Sequence, residues 1–177
     1  SKFSFIYEML DSAYWLVNNA RYEAPNGFQK IIGAYVSRDC LIDNYYRVFY
    51  LNYDKLENTS EFEELRDLVE NIYTNEYLGK LLPKWNEGLL EDDALKQIPL
   101  QRNFFSKFVR STNVRTVVII SDAMRYEVGR QLYERMMDNP KCSATLQPML
   151  SVLPSYTRLG MEALLPHKTL ELTDDFR

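Results

Sequence analysis

Apolar residues recur at three- and four-residue steps through the first part of the chain. Phe5, Ile6, Met9, Leu10, Ala13, Leu16 and Val17 follow this spacing and predict one amphipathic helix. Asn18-Asn19 and then Pro25-Asn26-Gly27 interrupt it. The same periodicity predicts a short second helix over 28–36 and a third over 39–53. Ser60 is suited to cap a fourth helix, with Glu63 and Glu64 at its positive end and Phe62, Leu65, Leu68, Val69, Ile72 and Tyr73 along its faces. Residues 75–85 predict a short helix ended by Pro83, and the acidic stretch 87–93 a loop or a helix start. A further helix is expected over 101–110, carrying Phe104, Phe105 and Phe108.

Near residue 113 the pattern changes. Thr116-Val117-Val118-Ile119-Ile120 is a continuous β-branched run, the pattern of a strand buried on both faces. A helix from about Met124 to Met137 follows, stopped by Asp138-Asn139-Pro140, and then a short strand over 143–146. A last helix is expected to start near Thr157 and run to Leu164, with Pro166 beyond it. This divides the chain into a helical region over 1–112 and an α/β region over 113–177 in which strand and helix signals alternate. The two expected strands leave an unpaired sheet edge, a surface for self-association.

Composition narrows the function classes. The 177 residues are 46% hydrophobic, 26% charged and 14% aromatic, a globular balance and not that of a disordered tail. No apolar run is long enough to span a membrane. Lys and Arg number 21 against 25 Asp and Glu, which argues against a general nucleic-acid coat held by phosphate neutralisation. Cys40 and Cys142 lie far apart with no Cys-x-x-Cys pair, and read as thiols in a reducing, cytoplasmic compartment. A single histidine, His167, cannot build a multi-histidine metal site. The clustered aromatics Tyr45, Tyr46, Phe49 and Tyr50 suit either base stacking or a helical core, and the core is the commoner use. The chain opens Ser-Lys-Phe-Ser with no basic leader, and is expected to be an internal piece of something longer.

Two places carry candidate chemistry. Asp122 follows the first expected strand, where a carboxylate can hold a divalent cation or simply cap the next helix. Arg125 can pair with phosphate or with Asp122, and Glu127 can support the site or lie solvated in the helix's first turn. Ser155 and Thr157 stand at the start of the last helix. There, free backbone amides and the helix dipole favour an attacking alkoxide and a bound phosphate, or the hydroxyls act only as caps.

The run Val117-Val118-Ile119-Ile120-Ser121-Asp122-Ala123-Met124-Arg125-Tyr126-Glu127 is followed by Met149-Leu150-Ser151-Val152-Leu153-Pro154-Ser155-Tyr156-Thr157-Arg158-Leu159-Gly160-Met161 and the helix after it. In this order the pair strongly resembles the PglZ domain family, the alkaline-phosphatase-superfamily component of bacterial BREX phage-exclusion systems. The resemblance is clearest over 115–172. It implies an α/β class: an aromatic-rich helical region, then the first part of an alkaline-phosphatase-like α/β sandwich. It implies divalent metals, often zinc, beside a hydroxyl nucleophile. On that pattern Asp122 is a metal ligand, Thr157 the nucleophile and Ser155 a weaker candidate, while His167 matches no ligand motif. The remaining ligands would lie downstream, so this piece is expected to be inactive alone and not to hold metal stably. Other BREX proteins would be partners, and DNA or a nucleotide a substrate of the full-length protein. The competing expectation is a non-catalytic scaffold whose helical region docks partner proteins.

Overall fold

The computed structural model describes residues 3–170. Among them are seven α-helices: α1 (Ser4–Asn18), α2 (Phe28–Ala34), α3 (Cys40–Tyr53), α4 (Glu63–Asn71), α5 (Gly79–Leu89), α6 (Tyr126–Met137) and α7 (Thr157–Leu164). The chain forms two compact units. The first comprises residues 1–94 and 126–131, the second residues 95–125 and 132–177. No described helix is long and apolar enough to cross a membrane.

The first unit is built on α1 packed against α3. Met9, Ala13 and Leu16 of α1 are buried with Ile42, Phe49 and Tyr53 of α3, Val69 of α4, and Tyr22 and Tyr77. Trp15 stacks on Tyr45 at 4.3 Å and Tyr46 on Tyr73 at 3.7 Å, ring to ring. The aromatics of α3 therefore form core; the hydroxyls of Tyr46 and Tyr50 find a partner at its edge, while that of Tyr53 is buried without one. Glu70 accepts hydrogen bonds from both Tyr46 (2.8 Å) and Tyr50 (2.7 Å). Burial, and then the neighbouring Glu70 carboxylate, push the Tyr46 hydroxyl up to about 12.

Helix ends depart from the sequence expectation in two places. Ser60 opens a 3₁₀ turn but makes no side-chain cap. Instead Asn58 Oδ1 accepts from both the Ser60 amide and the Ser60 hydroxyl, so the turn is held by the residue two positions earlier. Pro83 lies inside α5 and does not end it. The missing amide removes one backbone bond, and α5 is retained by packing on α2. Gly88 passes so close to Phe28 that a Cβ there would meet the Phe28 backbone at 3.0 Å. The Phe28 amide donates to Glu91 Oε1 at 3.1 Å, which places a carboxylate at the start of α2.

The second unit corrects the expected fold class. It contains no sheet among the described residues, and hence no α/β sandwich and no sheet edge for self-association. The one strand-type pairing is an isolated parallel bridge between Leu100 and Leu150. Residues 116–120 and 143–146 take no regular strand pairing. Val117 and Ile119 are 76% and 88% exposed, the reverse of a buried strand. The physical reason is cooperativity. A β-branched run has strand propensity, but a strand exists only through ladder partners, and one or two short segments do not stabilise a sheet. The helix expected over 101–110 is likewise a 3₁₀ turn (Gln101–Asn103) followed by a π-type turn (Phe105–Val109).

Candidate functional site

Asp122 and Thr157 come together in the second unit. The Thr157 hydroxyl donates to Asp122 Oδ1 at 3.3 Å. Each is placed by its own backbone feature. Asp122 sits in a turn where Ala123 has a φ of 52°, the left-handed region that an L-residue occupies only at a cost of about 1 kcal/mol or more. The Asp122 carboxylate holds that turn by accepting the Ala123 amide at 2.9 Å. Thr157 is the first residue of α7, with Tyr156 extended at the cap position. α7 is fixed by its buried face, Leu159 and Ala163, so the hydroxyl is presented outward beside the free first-turn amides.

The other expected residues are arranged differently. Arg125 is exposed at the position preceding α6, and Ser155 is exposed two residues before Thr157. His167 is exposed, with Nδ1 2.8 Å from the Leu165 carbonyl. Cys40 is buried and Cys142 half-buried, both free thiols. Glu127 is neither solvated nor directed to Asp122. It is buried within the first unit, where Arg47 Nε reaches its Oε1 at 2.5 Å and the Tyr35 hydroxyl its Oε2 at 3.4 Å.

Among the described residues no complete metal site is assembled. No group of three or more His, Cys, Asp or Glu among the described residues can hold a metal ion. Asp122 and the Thr157 hydroxyl are chemically suitable oxygen donors. A zinc centre takes at least three protein ligands, so these two do not hold one by themselves.

Sequence reasoning missed Gln101. Its Oε1 accepts from the Val152 amide at 2.9 Å and its Nε2 donates to the Gly160 carbonyl at 3.2 Å. Its own amide donates to the Leu150 carbonyl at 2.9 Å. One side chain thus ties the segment before the Thr157 turn to the first turn of α7. Nothing in the local pattern around Gln101 announces this, because its partners lie more than 50 residues away in sequence.

Comparison with known proteins now adds identity to this geometry. The profile of the BREX system PglZ alkaline phosphatase-like domain matches residues 100–177, the stretch that carries Asp122, Thr157 and Gln101. The chain is 38% identical to the alkaline phosphatase-like protein PglZ of Bacillus cereus (strain H3081.97), over 96% of this chain and 21% of that protein. It is 35% identical to the alkaline phosphatase-like protein BrxZ of Escherichia coli O9:H4 (strain HS), over 93% of this chain and 21% of that protein. It therefore spans about a fifth of the length of the curated relatives it matches. No solved structure matches it. Two PglZ-type relatives thus align over nearly all of the chain, and residues 100–177, which hold the hydroxyl–carboxylate pair, match the PglZ alkaline phosphatase-like domain.

Proposed function

We propose that this chain is part of a metal-dependent phosphatase or phosphodiesterase of a bacterial BREX antiphage system, with Thr157 as the phosphoryl-accepting nucleophile. The observation that carries this reading is the hydrogen bond from the Thr157 hydroxyl to Asp122 at the N-terminus of α7. A hydroxyl so held has its proton directed at a carboxylate and a lone pair free for attack. As its oxygen bonds to phosphorus and the leaving oxygen departs, the free amides of the α7 first turn face the charge that develops. Water then releases the phosphoryl group from Thr157. Arg125 is proposed to hold nonbridging oxygens, and Ser155 is the weaker nucleophile candidate. Asp122 is proposed to ligate a divalent cation, zinc being the usual metal of the superfamily, with the remaining ligands supplied from outside these 177 residues. DNA or a nucleotide is the proposed substrate class, other BREX proteins the proposed partners and the cytoplasm the proposed compartment.

The test uses the full-length protein. Wild type, Asp122→Ala and Thr157→Ala are compared for bound metal and for hydrolysis of a simple phosphodiester. Thr157→Ala is expected to lower turnover about 10³-fold or more while keeping its metal. Asp122→Ala is expected to lose both. Unchanged turnover and metal content in both variants would overturn the reading. The scaffold alternative keeps one observation in its favour: Tyr7 and Tyr14 of α1 are exposed, although most aromatics of the first unit are core.

A further inference from the structure

Helix α1 is apolar on two faces. The inner one, Met9, Ala13 and Leu16, is 0–2% exposed. The outer one is Tyr7, Leu10, Tyr14 and Val17, exposed by 71%, 39%, 70% and 43%. These four follow steps of three, four and three residues, the spacing of a seam that receives a second helix. A helix apolar on both sides is ordinarily buried on both sides.

Size and charge indicate the occupant. The four side chains expose on the order of 450 Å² by the usual areas of such residues, so a pair of such faces would bury about 900 Å². That is below the roughly 1,200 Å² at which stable interfaces between separate molecules begin. Asp11 also lies beside the seam in sequence register, while no Lys or Arg lies between Lys2 and Arg21. Two copies of α1 would bring their Asp11 carboxylates together without a cation, and like charges at this range are destabilising. A helix tethered to the same polypeptide escapes both limits, because tethering raises its effective concentration to the millimolar range. The matched relatives are about five times longer than the stretch they share with this chain.

We propose that the outer face of α1 seats an amphipathic helix of the same polypeptide, from outside these 177 residues. That helix presents apolar residues at three- and four-residue steps, with Lys or Arg beside them opposite Asp11. The assignment is independent of the catalytic reading, since it concerns no residue of that site.

The experiment uses wild-type full-length protein and hydroxyl-radical footprinting read by mass spectrometry. Tyr7 and Tyr14 should be modified about tenfold more slowly in the native protein than in the same protein unfolded in urea. That protection should not change on dilution. A photo-crosslinking residue in place of Tyr14 should join α1 to a segment of the same molecule beyond the 177 residues. Modification as fast as in urea overturns the proposal, and so does protection lost on dilution. A crosslink to a second copy or to another protein, or the absence of any crosslink, also overturns it.

Discussion

The two units handle apolar side chains in opposite ways. In the first, the large residues Phe28, Phe49, Met9 and Leu16 are fully buried, and tyrosine hydroxyls reach carboxylates at the edge of the core. In the second, the most apolar run of the whole chain, 116–120, lies largely in solvent, and burial is confined to points such as Leu159 and Ala163. Yet the second unit holds the hydroxyl–carboxylate pair and the left-handed Ala123 turn. The contrast teaches that the two units are held differently: tight packing is concentrated where the aromatics interlock, while the residues proposed for catalysis lie where the backbone is held by a few polar ties.

If that division is real, mutations in the two units should differ in what they damage. Thr157→Ala, at an exposed position, should remove activity from the full-length protein and leave its unfolding midpoint in urea nearly unchanged. Phe49→Ala should do the reverse in the first unit. Emptying this fully buried aromatic site should cost about 3–5 kcal/mol in urea unfolding of the 177-residue chain. A loss under about 1 kcal/mol would mean the aromatic core is not the main source of stability.

Arg47→Met sharpens the comparison at a smaller scale. It leaves Glu127 buried without its cation and should cost about 2–3 kcal/mol, at the low end for buried pairs because Arg47 is a third exposed. Adding Glu127→Leu should recover most of that loss, since the penalty is the stranded charge. Failure of the double variant to recover would assign the pair to packing rather than charge.

Asp43 provides a pH test. Burial raises its carboxyl above the usual value of 3.8, although the Tyr35 and Tyr73 hydroxyls donate to it at 2.5 and 2.9 Å. A raised acid binds its proton more tightly when folded. Its contribution to stability is therefore complete below 3.8 and is lost as pH rises through the raised value. Asp43→Asn should flatten the stability-versus-pH curve over that window, measured by urea unfolding. An unchanged slope would show that the folded state does not hold Asp43 protonated. The smallest effect belongs to the second unit: Ile119→Thr should change the stability of the 177-residue chain by less than about 0.5 kcal/mol, because the side chain is 88% exposed. A larger loss would show that the 116–120 run packs on something.

Local periodicity located α1, α3 and α7 to within a residue or two. These are properties of neighbouring residues, and neighbours determine helix phase. The motif runs around Asp122 and Thr157 likewise sufficed to indicate the family, since residue order is all that such a resemblance needs. Tertiary structure alone decided the rest. It withheld strand pairing from 116–120, because a ladder depends on a partner strand and not on propensity. It drew Glu127 into the first unit against Arg47, and gave Gln101 its role between Val152 and α7. It also chose which of the two apolar faces of α1 is buried, because both have the same helical spacing and only packing against α3 distinguishes them.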